Sequence, residues 1–143
     1  MHIPHLPKAS DPPVLICSPS EKIRATLTSI LVRGGWTVHQ AANPSETAAL
    51  LEKHAIPVVI TDGRWREILE FSTAAYGRPS VIVTVPFADE ALWAEVLNLG
   101  GYDVLSQPFD ANEVTRIANA GLRRSQIPDY HPPVGSLMAS ATV

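Results

Sequence analysis

Pro57-Val58-Val59-Ile60-Thr61-Asp62-Gly63 is the stretch on which the fold turns. A short apolar run ending in a carboxylate and Asp-Gly turn chemistry suits a strand covered on both faces, as in a parallel sheet. Val14-Leu15-Ile16-Cys17 and Val81-Ile82-Val83-Thr84-Val85 repeat the pattern on either side. Trp36 to Ala42 and Tyr102 to Ser106 supply two further strands. Between them lie helical patterns. Ile23, Leu27, Ile30 and Leu31 recur at helical spacing and end at Gly34-Gly35. Ser18-Pro19-Ser20-Glu21 precedes them and is expected to cap that helix through Ser18; Asn43-Pro44-Ser45-Glu46 repeats the arrangement before Ala48, Leu50 and Leu51. Trp65, Ile68, Leu69 and Ser72 form the expected inner face of a third helix within Arg64 to Tyr76. Asp89-Glu90 opens a fourth that carries Leu92, Val96, Leu97 and Leu99 and stops at Gly100-Gly101. Asp110-Ala111-Asn112-Glu113 caps a fifth with Val114, Ile117 and Leu122 inward and Arg123-Arg124 at its negative end. Five alternations of strand and helix predict an α/β fold: a doubly wound, five-stranded parallel sheet with helices on both faces.

Composition agrees with one packed domain. The chain has 143 residues, 45% apolar and 17% charged. Its formal net charge of -3 provides no basic footprint for a phosphate backbone, which argues against nucleic-acid binding. Met1 to Pro13 lacks the apolar core of a signal peptide and no apolar run reaches membrane-spanning length, so no membrane partner and a cytoplasmic location are expected. Cys17 is the single cysteine, and in a core strand it reads as a small buried hydrophobe. His2, His5, His39, His54 and His131 show no ligand spacing, so no metal site is expected among them. Pro-rich, aperiodic ends set the domain at 13–124, with arms over 1–12 and 125–143.

In an open parallel sheet, ligands meet the carboxyl ends of the strands. Cys17-Ser18-Pro19, Asp62-Gly63, Thr84-Val85-Pro86 and Ser106-Gln107-Pro108 stand there, and Asp62 is the carboxylate among them. These stretches, with Val58 to Asp62 and Leu99-Gly-Gly-Tyr-Asp-Val-Leu-Ser-Gln-Pro-Phe109, resemble response-regulator receiver domains over about Val14 to Arg124. The resemblance implies a flavodoxin-like, non-enzymatic signalling domain of a two-component phosphorelay. Its partners would be a histidine kinase or a downstream signalling protein, and Asp62 falls on the phosphoacceptor position. It also implies a damaged pocket. Ser18 and Pro19 match the acidic pair that holds Mg²⁺ in the family. Val85 matches the Ser/Thr at the end of the fourth strand, with Thr84 one position early. Val104 matches the aromatic switch residue, and Gln107 the lysine before a usually cis proline.

Phosphoryl transfer depends on cations placed around developing negative charge. Removing about 3 kcal/mol of metal stabilisation slows the reaction roughly a hundredfold. A degenerate pseudo-receiver acting through protein contacts, with no cofactor, is therefore the first expectation. The alternative is a working phosphoacceptor in which Mg²⁺ binds with help from a compensating group such as Glu21. A flavodoxin-like small-ligand or nucleotide-binding domain is a lesser alternative, because no phosphate-cradling glycine motif follows the first strand. No D-x-D follows it either, against an aspartate-nucleophile hydrolase. Asp62 also has a plain structural reading, as a strand-end residue bonded to its own turn. Trp36, Trp65 and Trp93 read as packing residues, with Trp65 close enough to Asp62 to report on it.

Overall fold

The computed structural model describes residues 11–74 and 78–127. Strands β1 (Pro13–Cys17), β2 (Thr37–Ala41), β3 (Val58–Asp62), β4 (Ser80–Val85) and β5 (Asp103–Ser106) alternate with helices α1 (Glu21–Arg33), α2 (Pro44–Lys53), α3 (Trp65–Ala74), α4 (Glu90–Asn98) and α5 (Ala111–Ser125). All strand pairs are parallel, in the order β2-β1-β3-β4-β5. This is the doubly wound, flavodoxin-like sheet that the alternation of elements predicts.

Because side chains alternate across a strand, each strand feeds two cores. Val14, Ile16, Val58, Ile60, Ile82 and Leu105 pack under α1 and α5 against Leu27, Leu31, Val114 and Ile117. Leu15, Val59, Val81 and Val83 pack on the other face against Trp65, Ile68 and Leu69 of α3 and Val96 of α4. Trp36 belongs to the first core, buried in the turn before β2 rather than within the strand. Ser72 is buried with the rest of the inner face expected of α3.

The caps divide into expected and corrected. Asn43 Oδ1 accepts from Glu46 N at 2.9 Å, Asp89 Oδ1 from Leu92 N at 2.7 Å and Asp110 Oδ1 from Glu113 N at 3.0 Å. The α1 cap is Ser20, whose Oγ accepts from Ile23 N at 3.2 Å, so Ser18 does not cap that helix. Leu99, expected within α4, instead follows the helix as its C-cap and is 50% exposed. Ser125 is the last residue of α5 and its Oγ donates to Leu122 O, so helix continues to the first residue assigned to the C-terminal arm. The remainder of that arm beyond residue 127, the N-terminal arm before residue 11 and Tyr76 lie outside the described residues.

α5 is tied to the start of β4: Ser80 Oγ donates to Gly121 O at 2.7 Å and accepts from Arg124 Nε at 3.0 Å. Arg124 also lies over the Tyr102 ring, 5.2 Å from its centroid. At the edge, burial and then the neighbouring His54 hold the His39 imidazole below its ordinary range.

Two glycines have different causes and should fail differently. Gly35 takes φ +88° with open space where a Cβ would stand, so Gly35→Ala should cost roughly 1–2 kcal/mol through backbone strain alone. A Cβ on Gly101 would stand 2.4 Å from Val96 Cγ1 and 2.9 Å from Val96 O, so Gly101→Ala should cost about 1–3 kcal/mol by overpacking. Urea midpoints measure both; Val96→Ala should relieve part of the second cost and none of the first. For His39 the sign follows from its lowered pKa. Stability is unaffected above the unfolded value of about 6.5, declines as pH falls from there, and stops declining below the folded value. His39→Gln should flatten that acid-side decline in urea melts across the same window.

Candidate functional site

The lateral register of β1, β3 and β4 builds the site. Cys17 aligns with Thr61, and Asp62 aligns with Thr84, which aligns with Leu105. One residue beyond Cys17, Ser18 continues the strand: its N–H donates to Ala41 O at 3.0 Å. Ser18, Asp62 and Thr84 therefore form a row across three neighbouring strands at the carboxyl end of the sheet. They share the α1/α5 face with Ile16, Ile60 and Ile82.

Ser18 is fully buried and every polar atom it has is engaged. Its Oγ donates to Asp62 Oδ2 at 2.9 Å and accepts from Ser20 N at 3.0 Å, while its carbonyl accepts from Arg24 Nη1 at 2.5 Å. Buried polar groups persist where they are partnered in this way. The hydroxyl thus stands where the family resemblance implies a metal-binding carboxylate, and it binds the phosphoacceptor candidate directly. Pro19, at the second matched position, is exposed and has no side-chain donor atom.

The hydroxyl expected at the end of β4 has a definite position. Thr84, not Val85, stands beside Asp62 on the α1/α5 face; Val85 packs against the opposite core. Thr84 Oγ1 is buried and has no hydrogen-bond partner among the described residues. Val104 is buried at 8% exposure within the α3/α4 core. Gln107 is half-buried, its N–H donates to Val85 O at 3.1 Å, and the Gln107-Pro108 bond is cis. Glu21 is exposed at the start of α1 and lines a groove with Ala25, Thr28 and Gln40 of β2. Cys17 is buried, and that burial pushes its thiol up, away from the reactive thiolate. Trp65, at 7% exposure, starts α3 just after the Asp62-Gly63 turn; Arg66 lies over its ring and also pairs with Glu95 of α4.

Mg²⁺ takes a near-octahedral oxygen shell and is usually held by one or two carboxylates with several waters. Asp62 brings one carboxylate, and one of its oxygens is already bonded to Ser18. No cluster of three or more acidic, His or Cys side chains suited to a metal occurs among the described residues. These residues do not fit the ion. Nor is any helix of the described part long and apolar enough to cross a membrane.

Ser20 takes the capping role that the sequence suggests for Ser18, and Ser18 is left to bond Asp62. The deciding signal is positional: Ser18 falls one step past the residue that aligns with Thr61, so it lands beside Asp62 once β1 and β3 are neighbours. Ser18→Ala should cost about 1–2 kcal/mol in urea melts by deleting a charge-assisted bond. Ser18→Asp/Pro19→Asp should gain a Mg²⁺-dependent rise in Tm and a saturable change in Trp65 emission, both absent from the wild type.

No protein-family model and no curated protein matches the chain. Solved structures do. A response regulator receiver domain protein from Clostridium thermocellum is 20% identical, with a TM-score of 0.73 over 80% of this chain and 97% of its own. A response regulator from Thermotoga maritima is 19% identical, with a TM-score of 0.73 over 79% of this chain and 98% of its own. The chemotaxis response regulator CheY4 of Vibrio cholerae is 20% identical, with a TM-score of 0.72 over 79% of this chain and the whole (100%) of its own. With five parallel strands in the order β2-β1-β3-β4-β5 and a carboxylate ending the third, the chain has the fold of response regulator receiver domains.

Proposed function

We propose that the chain is a receiver-like signalling domain of a two-component phosphorelay that acts through protein contacts without efficient Mg²⁺-dependent phosphorylation. The observation that carries this reading is the 2.9 Å bond from Ser18 Oγ to Asp62 Oδ2. A neutral hydroxyl already bonds the carboxylate that would have to share its oxygens with a cation. Gln107, in place of a lysine, adds a dipole but no charge, and Pro19 adds neither. Transfer to Asp62 would then proceed without most of the cationic stabilisation on which the reaction depends. The domain is a binding module rather than an enzyme, working in the cytoplasm. Its partners are proteins: a histidine kinase or a downstream signalling protein.

A second reading, a working phosphoacceptor at Asp62, draws support from Thr84. Its unpartnered hydroxyl is in register with Asp62, on the same face, where an acyl phosphate would offer it an acceptor. Acetyl phosphate with Mg²⁺, followed on a phosphate-retarding gel, separates the readings. The wild type should give no retarded band under conditions in which Ser18→Asp/Pro19→Asp/Gln107→Lys gives one that Asp62→Asn removes. A Mg²⁺-dependent band from the wild type that disappears in Asp62→Asn would instead establish the second reading.

A further inference from the structure

Away from the strand-end pocket, folding brings together two side chains that lie fifteen positions apart in the sequence. His39 is the central residue of the edge strand β2, and His54 is the C-cap of α2, held there by its N–H to Leu50 O at 2.9 Å. Their ring centroids lie 4.7 Å apart, with the planes tilted by 31°. Among the described residues β2 pairs with β1 alone, so the pair lies at the edge of the described sheet, with His54 exposed and His39 half-buried.

One metal ion shared by two imidazoles would demand a particular separation. An ion holding one nitrogen of each imidazole at about 2.0–2.1 Å stands about 3.2 Å from each ring centroid, so bite angles of about 90–110° place the centroids about 4.5–5.2 Å apart. The observed 4.7 Å falls inside that interval. The strand fixes the backbone of His39 and the helix end that of His54, so folding itself brings the two rings to this separation. Imidazole pairs suit borderline divalent ions of the zinc, copper and nickel class, and disfavour Mg²⁺, which prefers oxygen ligands.

We infer that His39 and His54 form a two-imidazole binding site for a borderline divalent transition-metal ion, with water completing its coordination. The site is independent of the Asp62 pocket: β2 and β3 are separated by β1, and the ligand chemistry differs. Its spacing in sequence matches no local ligand motif, because strand and helix end meet only through the crossover between them.

Isothermal titration of the full-length protein with Zn²⁺ tests the inference, using His39→Gln and His54→Gln. The wild type should bind saturably at one site and gain thermal stability with Zn²⁺. Each variant should lose affinity by at least about tenfold, since losing a direct ligand costs no less than losing the outer partner of one. His54 is exposed, so His54→Gln should keep the metal-free melting temperature of the wild type and remains informative even if His39→Gln folds poorly. Absence of saturable binding by the wild type would overturn the inference. So would equal binding by both variants, which would assign the ion to His2, His5 or His131.

Discussion

The lateral register of three neighbouring strands is the constraint from which the site follows. Side chains alternate across a strand with a period of two, so a slip of one residue would move Ser18, Asp62 or Thr84 to the opposite face of the sheet. The apolar residues prevent that slip. Val14 and Ile16 on β1, Val58 and Ile60 on β3, Ile82 on β4 and Leu105 on β5 all enter the core beneath α1 and α5. Burying an aliphatic side chain of this size is worth about 1.5–3 kcal/mol, and a slip would forfeit several at once. The polar row at the strand ends is held in place by hydrophobic residues that take no part in its chemistry.

Most of the fold was legible for the same reason. β3 and β4 are short apolar runs covered on both faces, and Asn43, Asp89 and Asp110 cap helices in the positions their spacing suggests. Such signals are local. The failures came where two local choices were nearly equivalent and a distant residue decided between them. Ser18 and Ser20 can each cap α1. Asp62, forty-four positions from Ser18, claims the first hydroxyl and leaves the second to the helix. Thr84 and Val85 are both plausible at the strand end from their order alone, and the alignment of Asp62 with Thr84 selects the threonine. Leu99 continues a helical apolar pattern, yet the helix ends before it and the residue is left exposed. The proximity of His39 and His54 had no counterpart in sequence spacing at all.

Satisfaction and reactivity oppose each other across this row. A pair of acidic residues beside Asp62 would place like charges at the carboxyl end of the sheet, which costs stability until a cation neutralises them. With Ser18 there instead, the folded chain carries no such penalty, and the hydroxyl, the amide of Ser20 and the guanidinium of Arg24 close the network without an ion. On the function proposed above, the same arrangement withholds the charge that phosphoryl transfer requires.

Thr84 is the exception, and it marks where the balance is unfinished. A buried hydroxyl without a partner costs about 1–3 kcal/mol, and an alanine or valine at that position would avoid the penalty. Its neighbours across the sheet offer no relief. Leu105 is apolar, and Asp62 Oδ2 already accepts from Ser18, which leaves the remaining capacity of the Asp62 carboxylate as the nearest acceptor in the row. The two sides of Asp62 therefore differ in kind: toward β1 every polar atom of Ser18 is engaged, and toward β4 a donor stands unengaged. Any ligand or covalent group drawn to this end of the sheet would gain most by bonding on the β4 side, because approach from the β1 side must first break the bond that Ser18 already makes.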